Sequence, residues 1–194
     1  KYGEPEHPDF HVYMGPVAVG SKSPLTEEEI KKKTPQEVVD YLKTWEPSKK
    51  FLAPSRDGLA CALSEVVSEN PSNYTSICQE IGRLYPVYVY HFLSGFRMAT
   101  QKEKTFDWKP VILFCKDLLI SQESKALTRE EMLYDWNSVY GEIADLLKEG
   151  LKSKTVSPSL ESREIIWALI EVLLKHNEPD LAFEDKYDEE TLDP

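Results

Sequence analysis

Residues 34–47 read TPQEVVDYLKTWEP, and this stretch decides the fold class. Thr34 is a helix N-cap type, Pro35 suits the first helical position, and Glu37 stands three residues after Thr34 to complete a capping box. Val38, Val39, Leu42 and Trp45 then recur at helical spacing on one face, and Pro47 stops the run. This is the grammar of an amphipathic helix with a marked start and a marked end.

The same grammar repeats outward in both directions. Upstream, Thr26-Glu27-Glu28-Glu29 opens a short helix with acids in its first turn, where the helix dipole favours them. Downstream, Ser55 caps a stripe of Leu59, Leu63, Val66 and Val67 that breaks at Asn70-Pro71. Pro71 opens a helix carrying Tyr74, Ile77, Cys78, Ile81 and Leu84, and Pro86 opens one carrying Val89, Tyr90, Leu93 and Phe96. A further helix starts near Asp107, with Pro110 in its first turn and Ile112, Cys115, Leu118 and Leu119 inside. Thr128-Arg129-Glu130-Glu131 reads as another capping box, for a long helix through Leu133, Trp136, Tyr140, Ile143, Leu147 and Leu151. The last starts near Ser159 or Ser162 and carries Ile165, Ile166, Leu169, Ile170 and Leu173. Strand-type alternation is nearly absent after residue 24, so the class is all-α.

Short breaks between helices join antiparallel neighbours. The expected pairs are Thr34–Asn70, Pro71–Thr105 and Phe106–Ser153. Their lengths suit a HEAT-like α–α superhelix of stacked hairpins, with a closed helical bundle as the alternative. An Asp-Trp pair occurs twice, at Asp107-Trp108 and Asp135-Trp136, in what read as different helix contexts.

The division along the chain is an irregular arm at 1–23, a helical repeat-like domain at 24–177 and an acidic tail or linker at 178–194. The tail holds eight acids against Lys186, a net of −7 out of −11, which leaves −4 for the rest. That balance argues against a nucleic-acid-binding surface as the default. No run approaches the roughly 20 apolar residues of a membrane helix, and Lys1–Phe10 has no secretory core. Lys1 is not a methionine and the chain closes in an extended acidic stretch, so it reads as a segment of a longer protein. Cys61, Cys78 and Cys115 are odd in number, widely spaced and set among apolar residues. Buried free thiols in a reducing, cytoplasmic setting are expected.

The stretches TPQEVVDYL (34–42), WEPS (45–48), PSRDGLA (54–60), YPVYV (85–89) and FDWKPV (106–111) together resemble an interior segment of very large, mostly uncharacterised bacterial proteins. That segment is similar to HEAT/armadillo-like helical arrays. The resemblance runs from about Ser23 to Pro194 and implies a scaffold fold; it brings no catalytic residue.

Chemistry-bearing patterns are few. His7, His11, His91 and His176 form no HExxH or ExxH, and there is no CxxC. The eight glycines form neither GxGxxG nor a P-loop, and there is no GxSxG. A nucleophile would need pairing in space, for which His91 with Cys115 and a carboxylate is the candidate. No cofactor or metal is expected. Two features point to binding. Lys31, Lys32, Lys33, Lys49, Lys50 and Arg56 would contact an anion or nucleic acid if they cluster. Tyr85, Tyr88 and Tyr90 lie in a helix apolar nearly all round, which belongs in the core or beside a partner groove. The expected function is a non-enzymatic scaffold or protein-interaction segment. Its partners would be other domains of the parent chain and another protein. The alternative is a nucleic-acid- or nucleotide-contacting helical domain of a larger NTP-dependent machine.

Overall fold

The two threonine capping boxes form as written. Thr26 Oγ1 accepts from Glu29 N at 3.3 Å while the Glu29 carboxylate accepts from Thr26 N at 2.8 Å, opening α1 (Glu27–Lys31). Thr34 and Glu37 repeat the exchange at 3.3 and 2.7 Å and open α2 (Pro35–Thr44). Each exchange satisfies donors that the helix itself leaves without partners. Ser55 Oγ accepts from Gly58 N at 3.0 Å at the head of α3 (Arg56–Glu69). The computed structural model describes residues 21–48, 50, 53–120 and 134–176.

Pro71 and Pro86 each occupy a first helical turn, but the two outcomes differ. Pro86 opens one long helix, α6 (Pro86–Gln101). The single helix expected from Pro71 is instead α4 (Pro71–Tyr74), a 3-10 turn at Thr75–Ile77 and α5 (Cys78–Ile81). Ile77 (φ −99°, ψ 4°) leaves helical geometry. Hydroxyl groups compete for the backbone here. Thr75 Oγ1 donates to Ser72 O at 3.1 Å, and Ser72 Oγ donates across to Thr105 O at 2.9 Å.

Three longer helices complete the body: α7 (Trp108–Ile120), α8 (Trp136–Lys152) and, after a 3-10 turn at Leu160–Ser162, α9 (Arg163–His176). The helix expected to run on from Thr128 is corrected at its start. Asp135 is extended (φ −84°, ψ 179°) and caps α8 by accepting from Ser138 N at 2.8 Å. Thr128–Glu131 and Leu133 lie outside the described residues. The two Asp-Trp pairs share one context after all, an aspartate accepting a backbone N–H at the head of a helix that begins with tryptophan.

Among the described residues the structure is all helical, held by helix–helix packing. α6 lies between α3 and α8, and α1 packs on α3. A second set consists of α2, the Thr75–Ile77 turn with α5, then α7, then α9, each in contact with the next. The chain alternates between the sets, so each expected hairpin has one helix in each. Gly95 lets α6 press on α3, since a β-carbon there would stand 2.7 Å from Val67 Cβ. The Trp108 ring lies over Gly150 of α8, and its Nε1 donates to Val156 O at 2.9 Å.

The core follows the stripes. Val39, Leu63, Val67, Ile81, Phe92, Phe96, Val111 and Ile143 are sealed from solvent. Leu151, expected inside, is exposed at the last turn of α8. Cys61 is exposed as well, a correction to the buried-thiol expectation, while Cys78 and Cys115 are buried. Cys61 lies two residues from both Leu59 and Leu63, about 200° round the helix from each. From the N-terminal side, Ser55 N donates to Lys22 O at 2.9 Å, so the end of the expected arm is tied to α3. Residues 1–20 and 177–194 lie outside the description. No described helix is long and apolar enough to cross a membrane.

Candidate interaction sites

Two of the cations singled out from sequence lie at opposite ends of one helix. Lys31 binds Glu69 at 2.7 Å, at the last residue of α3. Arg56, the first residue of α3, binds Glu46 and stacks its guanidinium 4.1 Å from the centre of the Tyr85 ring. The two ends of that helix are about 20 Å apart at 1.5 Å per residue. Lys33 stands 5.9 Å over the Tyr41 ring, Lys32 and Lys50 are exposed, and Lys49 lies outside the described residues. Two of these cations therefore already have a carboxylate partner, which weakens an anion-binding reading.

The three tyrosines separate according to helical angle. Tyr88 is fully buried and is no part of an exposed groove, which corrects that expectation; its hydroxyl has no hydrogen-bond partner among the described residues. Tyr85 is partly exposed beneath Arg56. Tyr90 opens onto a pocket between α6 and α8 of about 360 Å³, lined by Tyr90, Tyr134, Ser138, Gly141, Glu142 and Asp145.

A run of polar and aromatic contacts crosses three elements behind that pocket. On α3, Asp57 Oδ1 is 3.1 Å from His91 Nε2 on α6. Tyr134, just before α8, hydrogen-bonds Asp57, and its ring centre lies 5.1 Å from His91 and 4.9 Å from Tyr90. Farther along α6, Arg97 Nε donates to Glu142 Oε1 of α8 at 2.6 Å. Burial pushes the Glu142 carboxyl up against the pull of Arg97. Burial also drives His91 below the ordinary imidazole range, and Asp57 only partly opposes that. Burial pushes Tyr134 up to about 12. An Arg97–Glu142 pair this buried orders the α6–α8 seam, and loss of either partner leaves a charge uncompensated.

The same contacts bear on catalysis. His91 faces Asp57, not Cys115, so the candidate His–Cys pairing is not made. Cys115 is buried, and burial raises its thiol strongly. The thiol near Asp57 is Cys61, and burial together with Asp57 and Glu65 raises it too. A raised thiol is the opposite of an activated nucleophile. Among the described residues no group of three or more His, Cys, Asp or Glu is placed to hold a metal ion.

The second surface is the outward face of α9. Ile166, Leu169 and Leu173 face inward, whereas Leu160, Trp167 and Leu174 are 88%, 54% and 65% exposed. Trp167 and Leu174, seven residues apart on α9, return to one line within about 20°, and Leu160 sits in the 3-10 turn that precedes the helix. Glu164, Glu171 and Lys175 fall on one flank of that line, Arg163 on the other, and all four are exposed. The sequence reading took only the inward stripe of this helix. The leftover apolar residues at 160, 167 and 174 were the signal for a second one.

Compared with family models, curated proteins and solved structures, the chain matches none of them.

Proposed function

We propose that the chain is a non-enzymatic, HEAT-like helical interaction module of a larger protein, and that it engages a partner through the outward face of α9. The two helix sets act as the two layers of a stack of hairpins, and the alternation of the chain between them supports this over a closed bundle. One observation carries the docking reading: Trp167 and Leu174 stand in line in solvent on α9, whose other face is packed, and Leu160 is exposed in the 3-10 turn just before it. Covering a large apolar side chain contributes about 1.5–3 kcal/mol, so the three together suffice to anchor a helix. The glutamate flank selects the occupant, an amphipathic helix of a partner protein with apolar residues at heptad spacing and lysine or arginine beside them. Such a module works by shape and position, in a cytoplasmic setting that its unpaired cysteines suit.

The test is capture of partner proteins by the 194-residue chain and by its Trp167→Glu variant, with nuclease present. A protein retained by the first and lost with the second supports the reading. Equal retention by both, or recovery of nucleic acid alone, overturns it. A Trp167→Glu variant that melts well below the parent chain also overturns it, because Trp167 would then be covered by its own chain.

A further inference from the structure

We propose that the pocket between α6 and α8 is a binding site for an organic cation, an alkylammonium or guanidinium group. This goes beyond the docking face on α9 and stands without it. The pocket's volume of about 360 Å³ is within the range of small-ligand sites. Its lining holds two carboxylates, Glu142 and Asp145, the hydroxyls of Ser138, Tyr90 and Tyr134, and no basic side chain, which disfavours anions. Glu142 is already committed to Arg97. Asp145 has a loose contact with Lys148, 3.9 Å away with both side chains largely in solvent, and feels Arg97 through space, but no hydrogen bond commits its carboxylate to either.

The aromatic wall supplies the second half of the recognition. Tyr90 and Tyr134 stand with ring centres 4.9 Å apart and planes tilted by 46°, and both rings line the same space as Asp145. A cation seated there meets ring quadrupoles and a carboxylate together, the combination that recognises ammonium and guanidinium groups. Tyr134 is itself held in place by Asp57 and His91, which gives the wall a fixed position before any ligand arrives.

The floor is a glycine in the middle of α8. A β-carbon at Gly141 would meet nothing within 4 Å, so the residue is not required by packing. Glycine is a poor helix former, and here its missing side chain is what leaves the pocket open.

The test is a titration of the full chain followed by NMR at the Ser138 and Gly141 amides. The probes are n-butylammonium, N-acetyl-lysine methylamide, N-acetyl-arginine methylamide and the neutral N-acetyl-norleucine methylamide. At least one cationic probe should bind about tenfold or more tighter than the norleucine compound, since a cation over aromatic rings and a carboxylate differs from its neutral isostere by that much. Gly141→Leu should raise Kd about tenfold or more while the melting temperature holds or rises, and Asp145→Asn should weaken binding several-fold. Binding of n-butylammonium as tight as that of the blocked lysine identifies a free amine. Binding of the blocked amino acids alone identifies a partner's side chain. Equal binding of the neutral compound, unchanged binding by Gly141→Leu, or no binding by any probe overturns the proposal.

Discussion

Gly95→Ala and Gly141→Ala are the same chemical change in two helices, and they should move stability in opposite directions. Replacing a mid-helix glycine by alanine gains about 0.5–1 kcal/mol from backbone entropy alone. At Gly141 nothing stands within 4 Å of the new methyl, so that gain should appear whole. At Gly95 the methyl would stand 2.7 Å from Val67 Cβ, 2.9 Å from Ser64 O and 2.9 Å from Val67 Cγ1. Carbon atoms normally settle about 3.5–4.0 Å apart. The obstacles are a backbone carbonyl and a stiff β-branched side chain, so α3 and α6 must separate. Overpacking of this kind costs about 1–3 kcal/mol, which leaves Gly95→Ala less stable by up to about 2.5 kcal/mol after the helical gain. Urea unfolding followed by circular dichroism at 222 nm measures both. A Gly95→Ala midpoint at or above the parent's, or a Gly141→Ala midpoint below it, would refute the packing of α6 on α3 or the openness of α8.

Tyr88→Phe removes a sealed hydroxyl without a hydrogen-bond partner among the described residues, so stability should hold or rise by up to about 1 kcal/mol, while a clear loss would reveal a hidden partner. His91 is held by burial below its ordinary range, so the unfolded chain takes up a proton near pH ~6.5 that the folded chain refuses. The His91 contribution is therefore fully present above that pH and is lost as pH falls toward the lowered folded value. Burial raises the Asp57 carboxyl, but hydrogen bonds from Ser21 and His91 outweigh it and lower the pKa overall, so its contribution fades with further acid. Between about pH 7.5 and 5.5 the parent should lose more stability than His91→Gln, and equal slopes would contradict this. Of the three thiols, Cys61 should react with Ellman's reagent in the folded chain, and slowly at neutral pH because its thiol is raised, whereas Cys78 and Cys115 should react only on unfolding. Prompt reaction of all three would mean that the core is open.

What the sequence disclosed was local. Thr26 with Glu29, Thr34 with Glu37 and Ser55 cap helices because the partners lie three residues away, within reach of composition and spacing. Pro86 fixed the start of α6 for the same reason. The Pro71–Leu84 stretch had the right period and still broke at Thr75–Ile77, in a segment that Ser72 also ties to Thr105, 33 residues away. Asp135 displaced Thr128 as the cap of α8 through a bond to Ser138 that the more complete box at 128–131 overshadowed. The pocket was hidden for the same reason of distance: Asp57 meets His91 across 34 residues and Arg97 meets Glu142 across 45. One hint was available. Glu142 lies at i+3 from Val139 and i−4 from Leu146, on the inward face of α8, and a charge in that position asks for a buried partner.

The interaction reading rests on α9, and site-specific photo-crosslinking tests it most directly. A benzophenone amino acid placed at Trp167, with a control at the exposed Lys148 of α8, is exposed to nuclease-treated lysate and irradiated. The account predicts a discrete protein adduct from position 167 and none from 148, with the linked peptide an amphipathic helix bearing basic residues beside its apolar line. Adducts equal at both positions, linkage within the chain itself, or no protein adduct would contradict it.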